Sequence, residues 1–319
     1  MTYSIAIRTL GTGGDNYRRQ LQSIAAQTVQ PERVMVYIAE GYARPPFTIG
    51  REQYVHVPKG MAAQRALPYS EISSDCLLLL DDDVELAPDT AARMLAAMEA
   101  HGADCVAADT FCNHRMPAAA KLKAAAAGWV LPSRRADKAF RMRRSGAFSY
   151  IAAPAAGGCY PSDTAAGPAA MWRREAWLGI RFADELWVEQ DGFAYGEDMV
   201  QFHKLVVNGG RLFVLFDSGA VHLDSGNSSA AFRRGGQRMY VRTKNTLAIW
   251  WRCVYEPAPS PLTALAFAGR ALWGLGVAMA AAAGMRRASM LTQYVAGLRD
   301  GWRFVRSDAY ASIPKYRLP

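Results

Sequence analysis

The stretch from Cys76 to Glu85, CLLLLDDDVE, constrains the fold more than any other part of this chain. Four consecutive leucines cannot alternate between a core and water. A strand built on them is therefore covered on both faces, as in parallel sheets layered by helices. Three carboxylates follow without a break. Ligands of open parallel sheets bind beyond the carboxyl ends of the strands, which is where Asp81, Asp82 and Asp83 stand. Adjacent carboxylates repel each other, and crowding raises their pKa values. A hard divalent cation, Mn2+ or Mg2+, removes that penalty through oxygen ligands. In an extended chain Asp81 and Asp83 point the same way, roughly 6.6 Å apart, which suits a cation held against a diphosphate. One acidic residue here would only end a strand; three in a row favour the metal.

The surroundings repeat strand and helix with short connections. Residues 4–10 read as a strand, GTGGDNY as a turn and 17–27 as a helix. Further strands are expected at 33–40, 53–57, 75–81 and 104–109, with a loop and helix over 58–72. Pro88 near its first turn and Gly102 at its stop bound another helix. The expected fold class is α/β, with a mostly parallel central sheet flanked by helices. GTGGDN resembles a dinucleotide loop, but Asn16 stands where that motif needs glycine, and the mid-sheet aspartates have no role in a dehydrogenase. Residues 113–168 break the rhythm and read as an inserted, partly mobile basic region. Residues 230–319 read as a basic helical tail.

A second acidic site is GEDMVQFHKLVVNGG. Glu197 and Asp198 begin a helix whose apolar face carries Met199, Phe202 and Val206. Acids in a first helical turn complement the helix dipole, which accounts for one of the pair. A carboxylate at a pocket edge is also placed to act as general base toward an acceptor hydroxyl. His222 closes a strand, AVHLDSG, and is either a turn residue or a third metal ligand.

These segments together resemble the inverting glycosyltransferases of family 2, in particular bacterial rhamnosyl- and galactosyl-transferase-like members. SIAIRTLGTGGDNYRRQLQSIAAQT looks like the opening strand and helix, and HVPKGMAAQRALPYSEISSDCLLLLDDDVEL like the segment leading into the DxD motif. GPAAMWRREAWLGIRFADEL, GEDMVQFHKLVVNGGRL and AVHLDSG follow in the family's order over about residues 3–225. The resemblance implies the GT-A fold. It implies a catalytic domain at 1–229, divided into a nucleotide half (1–110) and an acceptor half (111–229), before the helical extension at 230–319. It places Arg8, Thr9 and Glu40 in the nucleoside pocket, with Arg65, Asp81 and Asp82 near the donor's base, ribose or diphosphate. Asp83, with Asp81 and His222, would bind the metal; Asp198 would be the base, with Glu197 beside it. Arg242 and Lys244 are expected at the diphosphate on grounds of charge. Two departures fall in the nucleoside pocket: Arg8-Thr9 where the family usually has Pro-Thr, and IAEGY where it ends the second strand in adjacent aspartates. The implied activity is inverting transfer of a sugar from a nucleoside-diphosphate sugar, UDP-type, to a glycan or lipid-linked saccharide. A Mg2+-dependent phosphohydrolase and a non-catalytic nucleotide-sugar-binding module are the alternatives.

Charge is uneven. Residues 221–319 hold 14 Lys and Arg against 4 Asp and Glu, a balance of +10 in a chain whose total is +9. Such a region seeks phosphates. Nucleic acid is not the expected partner, because the basic run at 121–144 is interleaved with Trp129 and Phe140 alone and leaves the aspartates unexplained. Residues 261–287 are apolar but interrupted by Arg270, leaving fifteen uninterrupted residues where a span needs about 20. No transmembrane helix is expected; contact with an anionic membrane surface or a helical cap on the catalytic domain is. Five scattered cysteines and no visible secretory leader suggest a reducing, cytoplasmic setting.

Overall fold

The computed structural model describes residues 1–112, 115, 117–119, 121–122, 130–133, 135, 137–223, 236–284 and 289–316. The strands are β1 (Tyr3–Thr9), β2 (Val34–Ala39), β3 (Glu52–Val57), β4 (Cys76–Asp81), β5 (Val84–Leu86), β6 (Cys105–Ala108), β7 (Val130–Ser133), β8 (Phe140–Met142), β9 (Phe148–Ile151), β10 (Cys159–Pro161), β11 (Ala169–Arg173), β12 (Leu212–Leu215) and β13 (Ala220–His222). The helices are α1 (Gly14–Ala25), α2 (Met61–Arg65), α3 (Thr90–His101), α4 (Arg174–Gly179), α5 (Glu197–Val207), α6 (Gly236–Trp250), α7 (Pro261–Gly284), α8 (Ser289–Phe304) and α9 (Asp308–Ala311).

Eight strands form the main sheet, in the order β10-β12-β6-β11-β4-β1-β2-β3. β1 runs parallel to β2 and β4, β2 to β3, and β6 to β12. β11 is antiparallel to β4 and β6, and β10 to β12. The sheet is therefore mostly parallel, and the architecture is the expected α/β GT-A type with a helical C-terminal extension. The leucine run explains its centre. Leu78 and Leu80 face a core built with Leu21, Ile24, Met94 and Met98 of α1 and α3. Leu77 and Leu79 face the other core, which takes in Val200 and Phe202 of α5 and Leu247 and Ile249 of α6. All four are at most 2% exposed, and each contributes roughly 1.5–3 kcal/mol by leaving water.

Two regions differ from the sequence reading. Of the loop and helix expected over 58–72, the helix is only the single turn α2; beyond it Tyr69 takes a left-handed φ of 47° and its hydroxyl donates to the Gln64 carbonyl. The basic insertion contains a three-stranded sheet, β7-β9-β8. Phe140 and Tyr150 are buried there and pack edge to face, so the described part of the insertion has its own apolar reason to be ordered. Trp129 and parts of the basic run lie outside the described residues.

The tail folds onto the α/β part. Arg252, in a π-helical turn over Trp251–Tyr255, makes two 2.7 Å bonds to the fully buried Glu185 and a 2.8 Å bond to the Pro314 carbonyl. α8 presses on α6 through Gly297 and Gly301, four residues apart and so on one helix face; a Cβ at either would crowd backbone atoms of Tyr240 or Lys244. α7 corrects the expectation about its length. It runs unbroken for 24 residues through Arg270 and is, by length and composition, apolar enough to cross a membrane. The charge does not interrupt its outer face, because Arg270 turns inward and its Nη1 donates to the Ser145 carbonyl at 3.1 Å. Leu265, Leu272 and Trp273 on that outer face are 67%, 69% and 57% exposed. Arg286 and Arg287 lie outside the described residues.

Candidate active site

Strand parity decides which carboxylate meets which partner. β1 and β4 are in parallel register with Arg8 opposite Asp81. Both side chains lie on the face of Ala6 and Leu79, the side that carries α5. Arg8 Nη2 donates to Asp81 Oδ1 at 2.7 Å, and Arg65 Nη2 reaches the same carboxylate at 3.2 and 3.3 Å. One residue on, the parity reverses: the Thr9 hydroxyl donates to Asp82, and the Gly11 N–H donates to Thr9 Oγ1 at 2.7 Å. The chain then turns at residues 82–83, so Asp83 does not continue the strand. The expected parallel pointing of Asp81 and Asp83 is thereby lost. Asp83 meets His222 instead, at 3.0 Å between Oδ2 and Nε2. β13 holds the histidine there by antiparallel pairing with β5, His222 opposite Val84.

The second acidic site opens onto the same space. Gly196, with φ 82°, turns the chain into α5 and brings Glu197 and Asp198 forward in its first turn. Asp198 Oδ1 lies 3.1 Å from Arg65 Nη1, and Asp198 Oδ2 accepts the Gly167 N–H at 3.0 Å. Gly167 also offers its carbonyl to Arg8 at 3.3 Å and Arg65 at 3.2 Å. A Cβ at Gly167 would run into the Asp198 carboxylate and the Arg65 guanidinium, so any other residue there displaces one of them. The resulting cleft is about 580 Å³. Arg8, Thr9, Arg65 and the three aspartates line it from the first 110 residues; Glu197, Asp198 and His222 line it from the later part of the chain.

Electrostatics separate the carboxyls. Burial works against an ionised Asp81, but Arg65 and Arg8 outweigh it and hold its pKa below the ordinary value. Asp82 is pushed up to about 6 by burial, opposed by its Thr9 bond and reinforced by the charges of Asp81 and Asp83. Glu197 is pushed up to about 8, first by burial and then by Asp198, with Arg65 pulling the other way. Burial would lower the pKa of His222, yet the bond and the charge of Asp83 raise it. Neighbouring carboxyls with pKa values driven apart are the usual basis for dividing acid and base roles.

Of the residues read from sequence, nine share this cleft. Three do not line it. Glu40 is exposed just past β2. Lys244 is paired with Asp191 at 2.6 Å, and Arg242 lies over the Tyr195 ring. The sequence reading also missed Gly167 and Glu189. The Glu189 carboxylate enters the cleft and accepts the N–H groups of Met61 at 2.6 Å and Ala62 at 2.9 Å, capping α2. Neither carries a local sequence signal, because each acts on a segment more than 100 residues away in the chain.

For a metal the donors divide. Among the described residues no three His, Cys, Asp or Glu side chains gather to hold an ion, because Asp81 is taken by two arginines. Asp83 and His222 already touch. One carboxylate and one imidazole fit a divalent cation whose remaining ligands are diphosphate oxygens, the usual habit of Mg2+-type sites.

A mostly parallel sheet with an acidic cleft at its carboxyl edge defines a GT-A type of protein, and known structures agree. The fold resembles Staphylococcus aureus TarS residues 1–349 in complex with UDP-GlcNAc, with a TM-score of 0.52 at 11% identity, covering 98% of this chain and 84% of that one. It also resembles GalNAc-T7 solved with UDP, GalNAc and Mn2+, with a TM-score of 0.50 at 13% identity, covering 81% of this chain. The chain spans about half (51%) of the GalNAc-T7 chain, and such identities speak for the fold alone. Residues 35–149 match the model of glycosyl transferase family 2. No curated protein matches it by sequence.

Proposed function

We propose that this protein moves a sugar from a nucleoside-diphosphate sugar, UDP-type, to a hydroxyl of a saccharide or lipid-linked acceptor, with inversion at the anomeric carbon. The observation that carries the reading is Arg65, which touches Asp81 on the nucleotide side and Asp198 on the other, 3.2 and 3.1 Å away in one cleft. Asp198 removes the acceptor proton as that oxygen attacks and the bond to the diphosphate breaks. Glu197, kept protonated by burial, does not compete for that proton. Arg8 and Arg65 hold Asp81 ionised and fix the donor edge of the cleft. Asp83 and His222 would hold the divalent cation, Mn2+ or Mg2+, which when bound neutralises charge growing on the departing diphosphate. Thr9 and Asp82 belong to the donor side by position.

The decisive experiment incubates the protein with UDP-sugars and Mn2+, with and without saccharide acceptors. A transferase releases UDP at full rate only with an acceptor. Full-rate release without one, or none with any sugar nucleotide, overturns the reading.

The tail fits peripheral contact with an anionic membrane. α7 turns an apolar strip outward, and α8 adds exposed Trp302 with Arg303 and Arg306 beside it. Aromatic and basic residues mixed on one surface suit a headgroup layer. The described cysteines are all free, as a cytoplasmic membrane face allows. Flotation with phosphatidylglycerol vesicles should retain the protein at low salt and release it at high salt; no binding at low salt removes this contact.

A further inference from the structure

The segment that leads into Asp198 is held at both ends and in its middle. It starts at Glu189, the last residue of the 3-10 helix Phe182–Glu189. Gly192 and Gly196 turn it at φ 78° and 82°, and glycines give it no stiffness of its own. The stiffness comes from α6. The buried Asn245 amide donates to the Val188 carbonyl at 2.7 Å and to the Tyr195 carbonyl at 3.2 Å. Its neighbour Lys244 pairs with Asp191 at 2.6 Å. The two side chains therefore grip the segment beside Glu189 and again just before the helix of Asp198.

Glu189 reaches across the cleft to α2. Its Oε1 accepts the Met61 N–H at 2.6 Å, and its Oε2 accepts those of Ala62 at 2.9 Å and Ala63 at 3.3 Å. A helix of one turn fixes many dihedrals for few hydrogen bonds and does not hold by itself. The residue before α2 is Gly60, which has no side chain to cap it. The cap comes instead from 126 to 128 residues later in the chain. α2 in turn carries Gln64 and Arg65. The Gln64 amide donates to the carbonyls of Thr9 and Tyr37 at 3.3 and 3.2 Å, seating the turn on β1 and β2. Arg65 then reaches Asp81 and Asp198. One segment thus acts on Arg65 twice, through the helix that carries it and by direct contact with its guanidinium.

We propose that Glu189 is a positioning residue: by capping α2 it sets Arg65 between Asp81 and Asp198, and α6 of the C-terminal extension braces it for that task. The proposal rests on the transfer reading for what Arg65 serves and goes beyond it in naming what holds Arg65. The test is a double-mutant cycle on the full chain, with Glu189→Ala and Arg65→Met made singly and together. It is read on turnover, with the UDP-sugar and saccharide that support transfer, and on hydrogen exchange at residues 61–63 of the unliganded protein. Glu189→Ala should lower kcat roughly tenfold or more, as a small displacement of a reacting group does. KM for the UDP-sugar should change less, and the amides at 61–63 should lose protection. In the Arg65→Met background the same substitution should lower kcat by less than about threefold, because its route of action is already gone. Glu189→Gln keeps one acceptor oxygen and should recover part of the loss. Lys244→Met should lower kcat by a smaller factor; no change there removes α6 from the proposal. Cooperative melts show that the variants fold. If Glu189→Ala does not, Glu189→Gln carries the cycle, and Arg65→Lys stands in for Arg65→Met in the same way.

The same fall in kcat in the wild type and in Arg65→Met overturns the proposal, since Glu189 then acts by another route. So does unchanged kcat once the amides at 61–63 have lost protection. Unchanged protection shows that Glu189 does not hold α2, with the same consequence. A wild type that transfers no sugar from any sugar nucleotide strikes the transfer reading alone. The cycle is then read on denaturation midpoints: shifts that add in full separate Glu189 from Arg65, and shifts short of additive keep the link.

Discussion

Arg65 is buried and Arg270 half-buried, and the two guanidinium groups are furnished in opposite ways. Arg65 has Asp81, Asp198 and Glu197 around it, the last at 3.9 Å. Burial works against its charge, but those three carboxyls raise its pKa. Arg270 has a carbonyl and another arginine, and its pKa falls. A guanidinium with its counter-charges supplied by the chain holds a site together.

The largest expected effect lies at the carboxylate Arg65 serves. Asp198→Asn should lower turnover by about 10²–10⁴-fold, the usual worth of a general base, while UDP binding by calorimetry stays near the wild-type value. Unchanged turnover would remove Asp198 from the base role. Next, Arg65→Met should cost about 3–5 kcal/mol in a denaturant titration, because it strands buried carboxylates. A loss no greater than that of Arg270→Met breaks the comparison between the two arginines. Asp83→Ala should abolish the Mn2+-dependent part of UDP affinity and leave the metal-free part, measured by titration with and without the ion.

Smaller effects follow. Glu197 has a folded pKa of about 8 against an ordinary 4.5. From about 4.5 upward the unfolded chain loses this proton while the folded chain keeps it, so stability falls as pH rises through that window. Melting temperatures from pH 5 to 8 should decline less steeply in Glu197→Gln than in the wild type. Parallel declines would show that burial does not hold the proton. Last, Arg270→Met should change stability by no more than about 1 kcal/mol, since a half-buried guanidinium bonded to one carbonyl is replaced by an apolar side chain of similar reach. A larger loss makes Arg270 a structural pin through Ser145.

The sheet was legible because its signals are local. β1, β2, β3, β4 and β6 lie within a residue or two of the segments read from apolar runs, and α5 begins at the Glu197-Asp198 pair. The small sheet of the insertion was not legible because charge dominates its composition, while the buried Phe140 and Tyr150 are few and widely spaced. α7 was misjudged because a linear count of apolar residues does not say which way Arg270 points. Arg242 and Lys244 were placed at the diphosphate by charge alone, and charge carries no address: Lys244 went to Asp191.

From its residues alone this chain commits to a leucine strand covered on both faces and ending in carboxylates, because strand period and the removal of apolar surface from water act within a few residues. Folding decided how those carboxylates were divided. Asp81 went to the arginines, Asp82 to Thr9 and Asp83 to His222, and Gly167 and Arg65 joined them to Asp198. Those partners lie up to 159 residues apart, and contacts over such separations depend on which strands become neighbours, a choice no local pattern contains.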